Sequence, residues 1–255
     1  MNLEILYYIF IFILGLCIGS FLNCVIYRLE TKKTLKGRSF CPKCKKQLKW
    51  QDLIPVFSFL FLKGKCRNCK QKISIQYPLV ELATGIIFVL IFNRFGVLNY
   101  TNILFWLYIS TVLIIIFVYD LKHYEIPDKI LIPAIIITFI FCILFNFSLI
   151  LNYLLAVLIG FGFFFSIFYI SAGKWMGFGD VKFAILMGLL LGVSNILLAL
   201  FLAFFFGAII GIILLIYEKK GLKSEIPFGP FLILGTFISI LWGSQIINWY
   251  FSFIV

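Results

Sequence analysis

Four of the ten acidic residues in this 255-residue chain are aspartates, and two of these stand at the margins of long apolar stretches. Asp120 lies in the run from Val118 to Asp128, ahead of Ile126 and Pro127, and Asp180 closes the run Gly177, Phe178, Gly179, Asp180. Two carboxyls brought to one site cannot both ionise easily, so one keeps a proton while the other is charged. The charged one can take a proton from water and the protonated one can polarise a carbonyl, which is the chemistry of peptide-bond hydrolysis without a covalent intermediate or a metal. Gly177 and Gly179 leave room for a substrate backbone beside Asp180. Each carboxylate also has an ordinary role open to it. Asp180 and Asp128 suit helix caps, and Asp120 suits an interfacial charge. The sequence alone does not establish that Asp120 and Asp180 meet.

A second constellation is built from thiols. Cys41 and Cys44 form one CxxC pair, Cys66 and Cys69 another, with 21 residues between the pairs. Four thiolates at such spacing suit a tetrahedral structural Zn²⁺. Disulfides fit poorly if the segment faces a reducing cytosol, and no βαβ pattern surrounds the pairs to favour thioredoxin-like redox chemistry. Metal binding would organise a loop too polar to build its own core. Cys17, Cys24 and Cys142 fall inside apolar spans and read as small buried hydrophobes.

The elements that must position these groups are membrane spans. The chain is 63% hydrophobic and only 13% charged, with a mean hydropathy of +1.12. A soluble domain is about 45–50% apolar and about 25% charged, so lipid is the solvent implied. Apolar runs predict spans near residues 5–27, 77–93, 101–119, 129–147, 149–171 and 230–253. The run from Val181 to Tyr217 is too long for one crossing. Gly192, Val193, Ser194 and Asn195 make a turn that divides it into two, for about eight helices in all. The first run lacks a basic leader and a cleavage site, and reads as a retained helix. Fourteen of the 22 Lys and Arg residues fall between Arg28 and Lys72. If that loop is cytoplasmic, 21 of the 22, including Lys219, Lys220 and Lys223, lie on one side and only Arg94 on the other, which fixes the topology. Both termini then face away from the cytoplasm, and both aspartates sit at its edge. The expected architecture is all-α and integral to the membrane: residues 1–27 a first helix, 28–76 a large zinc-binding cytoplasmic loop, 77–255 a seven-helix membrane domain.

Glu81 lies one turn inside the second span, where a charge is a functional hint by default. His123, the one histidine, reads as an exposed loop residue. Lys174 and Lys182 bracket Asp180 and read as topology charges.

Several runs together resemble the prepilin peptidases, or type IV leader peptidases, which are aspartyl proteases of GxGD type. They are Gly19 to Arg28, Trp50 to Val56, Tyr77 to Leu82, Asp120 with Ile126 to Asp128, Gly177 to Asp180, and Ile226 to Leu232. The resemblance runs in order from about residue 16 to about 235. It implies a catalytic dyad of Asp120 and Asp180, with Asp128 structural. It implies cleavage of the basic leader of pilin or pseudopilin precursors, after Gly and often before Phe, at the cytoplasmic face of a bacterial inner membrane. The four-cysteine loop goes with family members that also N-methylate the new N-terminus, which implies S-adenosylmethionine as cosubstrate. Pili, type II secretion and competence machines all use this family. Against it stand a transporter with a zinc-regulated loop, which the near absence of mid-span charge disfavours, and a membrane-anchored nucleic-acid binder. The basic loop has few aromatics for base stacking, so lipid is the expected partner and nucleic acid is not.

Overall fold

The computed structural model describes residues 3–96, 100–217 and 226–253. Its helices are α1 (Leu3–Glu30), α2 (Phe57–Phe61), α3 (Gln76–Phe95), α4 (Tyr100–His123), α5 (Asp128–Phe145), α6 (Ile150–Ile170), α7 (Phe178–Tyr217) and α8 (Gly229–Phe251). Among the described residues, extended pairing is confined to two isolated bridges, Phe40 with Gln47 and Lys65 with Lys72. All helices but the five-residue α2 are long and apolar enough to cross a membrane, seven in total among the described residues. Their limits follow the predicted spans to within a few residues. Lys219, Lys220 and Lys223, counted above among the basic residues of one side, lie outside the described residues.

The predicted eight helices and these seven differ only at α7. Its helix is broken at Gly192, where φ is 69° and ψ is 178°, a backbone conformation that costs only glycine little. The break is a reversal. A straight helix would hold Ala184 and Ile196 about 18 Å apart. Both instead crowd one point on α6: a Cβ on Gly160 would lie 2.7 Å from Ile196 Cδ1 and 3.4 Å from the Ala184 carbonyl oxygen. Asn152, also on α6, secures the turn by accepting the Val193 N–H at 3.3 Å. The two arms of α7 therefore correspond to the two helices predicted on either side of Gly192.

Contacts divide the chain into two units, Met1–Ile115 and Ile116–Val255. In the first, α1 and α3 approach through small residues, as helices in lipid do. A Cβ on Gly15 would lie 2.7 Å from Gly85 Cα, and one on Gly19 would lie 2.7 Å from Glu81 Cα. Asn23 Nδ2 donates to the Tyr77 carbonyl at 3.0 Å near the loop end of the pair. In the second, α7 packs between α6 and α8. Gly188 rests on the Val157 backbone, where a Cβ would come within 2.6 Å of N and Cα. Backbone cannot move aside as a side chain can. Gly188→Val is therefore expected to destabilise the detergent-solubilised protein by about 1–3 kcal/mol, the usual cost of overpacking, read as a fall in thermal midpoint.

Cys142 is buried, its thiol donating to the Leu189 carbonyl at 3.4 Å, but Cys17 is exposed and Cys24 half-exposed. The expectation of three buried cysteines holds for Cys142 alone, failing for Cys17 and in part for Cys24, because an apolar residue on a spanning helix can face lipid as readily as protein.

Candidate active site

Asp120 sits in the last turn of α4. Tyr124, in left-handed conformation with φ 58°, ends that helix and donates its N–H to the Asp120 carbonyl at 2.9 Å. Pro127 is extended and cannot continue a helix backwards, so α5 begins at Asp128. The short turn between them carries Ile126 inward, where it is buried. Asp180 lies in the first turn of α7, its backbone N–H on the Gly177 carbonyl at 3.2 Å. The two motifs meet through Ile126: a Cβ on Gly179 would lie 3.2 Å from Ile126 Cβ. Packing at this contact brings the end of α4 and the start of α7 to one place, within the second unit.

Both carboxylates are buried, Asp120 at 4% and Asp180 at 9% exposure, and Asp180 lies within reach of the Asp120 charge. Asp120 faces the N-terminus of α8. A Cβ on Gly229 would stand 2.5 Å from its Oδ2, and among the described residues that oxygen has no well-formed hydrogen bond, although the Gly229 backbone N–H lies near the carboxylate. An orphaned buried carboxylate oxygen is costly for stability, and such sites recur where a group is held ready for chemistry. Gly177 lies beside Asp180, with its Cβ position 3.9 Å from Oδ2.

Asp128 stands apart from the pair. Its carboxylate is 52% exposed and forms an ion pair with Lys182 of α7. Lys182 is thus more than a topology charge, since it ties the turn after Asp120 to the helix that carries Asp180. Its ammonium also lies 5.5 Å from the Phe178 ring centroid. Lys174 is exposed, as is His123, whose ring packs 4.6 Å from that of Tyr119. Glu81 lies in the other unit, buried, and accepts the Val56 N–H at 2.7 Å. The sequence assigns Gly229 no role beyond its place in the Ile226 to Leu232 run. Its one visible signal is a glycine held between Phe228 and Pro230 at the head of an apolar helix.

The four loop cysteines converge. The Sγ atoms of Cys41, Cys44, Cys66 and Cys69 all lie within 4.8 Å of one another, and a tetrahedral zinc with bonds of about 2.3 Å suits such a cluster. The two CxxC pairs are built alike. The N–H of Cys41 meets the Lys46 carbonyl and that of Cys66 meets the Gln71 carbonyl, both at 2.9 Å. Lys45 and Lys70 turn each corner at φ 58° and 59°. The Cys69 backbone amide pulls the Cys66 thiol down to about 7, against the opposing effect of burial, while the Cys69 thiol is pushed up to about 11, so Cys66 gives up its proton readily and a bound metal must displace that of Cys69.

Comparison with known proteins places the chain in a family. Residues 107–212 match the model of the type IV leader peptidase family, and residues 13–95 match that of the bacterial peptidase A24 N-terminal domain. A protein of Aeromonas salmonicida is 30% identical over the whole of this chain and 97% of its own length. One of Legionella pneumophila is 32% identical over 96% of this chain and 95% of its own. This chain belongs to the type IV leader peptidase family. A third member, from Bacillus subtilis, is 33% identical over 94% of this chain and 96% of its own length. All three carry the name prepilin leader peptidase/N-methyltransferase. No solved structure matches the chain. Membership and the apolar helices together make it a multi-pass membrane protein.

Proposed function

We propose that this protein is a membrane aspartic endopeptidase that removes the basic leader of type IV prepilin-like precursors, with Asp120 and Asp180 as its catalytic pair. The observation that carries the proposal is the meeting of these two buried carboxylates at the ends of α4 and α7 in one unit. One carboxylate takes a proton from water as the water attacks the scissile carbonyl. The other donates its proton to that carbonyl's oxygen, and a proton then passes to the leaving amine. Gly177 and Gly179 admit the substrate backbone. A precursor with its leader in the cytosol and its apolar helix in lipid presents its cut site at the depth of the helix ends that hold the pair.

The same reading assigns the chain's parts: residues 1–27 as the first span, 28–76 as a cytoplasmic loop holding a structural Zn²⁺, and 77–255 as the peptidase domain. The basic residues on one side support termini that face away from the cytoplasm and an inner-membrane location. The relatives' names support a second activity, N-methylation of the new N-terminal residue with S-adenosylmethionine as donor. Zinc bound by the four cysteines would crosslink the loop and take no part in hydrolysis.

The test is cleavage of a pilin-like precursor by membranes containing the intact chain or a variant at either aspartate. Cleavage by the intact chain that both variants lose supports the reading, and full cleavage by either variant overturns the pairing. Gly229→Ala supplies a subtler check. The added methyl would push the Asp120 carboxylate out of place, and misplacement by about 1 Å can cost roughly 10²-fold in rate. Cleavage is expected to fall by about that factor with little change in substrate affinity, seen as a lower kcat at similar KM.

A further inference from the structure

We infer that the segment from Trp50 to Leu62, within the otherwise polar loop between the first two spans, is embedded in the membrane, with lipid acyl chains as the partner covering its apolar face. Depth along α1 carries the inference. A groove of about 410 Å³ has one wall made by Ile13, Leu16 and Cys17 of α1 and the other by Trp50, Ile54 and Phe57 of the loop. Cys17 is the midpoint of the span Glu4–Glu30, about 16 Å along the helix from Arg28 at its loop end. Whatever packs beside these residues is at hydrocarbon depth.

A second ruler agrees. Gly19 lies about 14 Å from Arg28 along α1, and the Cα of Glu81 sits against it. The carboxylate of Glu81 holds the Val56 N–H at 2.7 Å, which pins the loop backbone at that level. Val56 has φ 60° and ψ −52°, with the Phe57 N–H donating to the Pro55 carbonyl at 2.6 Å. This is a strained three-residue turn for a β-branched residue. It reverses the chain in few residues, and Glu81 satisfies the amide that the turn leaves free. Such satisfaction is obligatory only where no water is at hand.

Charge follows the same boundary. Residues 53–62 contain no ionisable side chain. Asp52, the one ionisable residue of the segment, is paired with Arg67 at 2.8 Å, and Lys49, Lys63 and Lys65 flank the segment where anionic head groups would lie. The side chains of Trp50, Phe57, Leu60 and Phe61 are exposed, Phe61 by 83%, which water would disfavour and acyl chains would not.

The experiment uses the full chain in phosphatidylcholine and phosphatidylglycerol vesicles whose acyl chains are brominated near mid-chain. The five native tryptophans are replaced by Phe, and a single reporter is placed by Phe57→Trp, Phe61→Trp or, in the polar part of the loop, Leu35→Trp. Retained precursor cleavage checks the fold of each. Emission from the first two is expected to fall to roughly half that in unbrominated lipid, as contact with chains at this depth requires, with Leu35→Trp unchanged. Quenching of Phe57→Trp and Phe61→Trp by aqueous iodide instead would overturn the inference. So would quenching by neither agent, since a second copy of the chain would then cover the face. If the reporters fail to fold, labelling of the native chain by a lipid-dissolved carbene reagent decides: label must fall on the Trp50 to Leu62 peptide and spare Lys32 to Lys46.

Discussion

Asp120→Asn and Asp180→Asn are each expected to lower precursor cleavage by roughly 10²–10⁴-fold, the usual contribution of a positioned acid or base, while the protein still inserts and accumulates. Asn keeps the shape of the side chain and removes only its ability to exchange a proton at that oxygen. A pair that works as a unit also predicts non-additivity: the double variant should be little worse than either single one. Asp128→Asn is the contrasting case. Its carboxylate is half-exposed and engaged with Lys182, and an exposed pair is worth about 0–1 kcal/mol, so cleavage should fall by less than about tenfold. Initial rates on a pilin-like precursor, normalised to the amount of inserted protein, separate these outcomes. Equal losses at all three aspartates would mean that the site fails through general disruption. A retained rate at Asp120 or Asp180 would remove that residue from the chemistry.

The spans were legible because lipid imposes one rule along the whole chain, and the basic residues then orient them. Even the reversal at Gly192 showed itself, since 37 residues with a single lysine cannot form one crossing. The partners of the reversal did not show. Asn152 meets Val193 across 41 positions, and nothing local marks it among the residues of α6. The same holds for Gly229, whose contact with Asp120 spans more than a hundred residues and depends on how α8 packs. Asp128 illustrates the opposite limit. Its spacing beside Asp120 is compatible with both a structural and a chemical role, and only the place of Lys182 tells what the carboxylate touches. The apolar segment after Trp50 was hidden for a different reason. It is shorter than a crossing and lies in a loop dominated by lysines, so its own character is lost in that of its surroundings.

Removal of metal from the intact protein, by chelation or by Cys44→Ser with Cys69→Ser, is expected to expose the two cysteine turns, around residues 38–49 and 63–72, to protease while the spanning helices stay protected. Each CxxC turn holds itself by little more than a pair of backbone hydrogen bonds and one bridge, too little to fix a polar segment against its conformational entropy. A structural zinc contributes on the order of 10–16 kcal/mol in small zinc-organised peptides, far more than the Asp52–Arg67 pair can supply in its place. Metal content, measured alongside proteolysis, should fall from about one zinc per chain to none as the loop becomes sensitive. A loop that stays resistant with no metal bound would mean that packing, not zinc, organises it. The aspartates and Gly229 belong to the unit Ile116–Val255, whereas all four cysteines belong to Met1–Ile115. Cleavage should therefore survive metal loss within about tenfold, a smaller effect than that of either aspartate variant. If methylation of the product, followed by mass on the same samples, disappears while cleavage persists, the loop serves the second activity. Joint loss would mean that the peptidase also depends on the ordered loop.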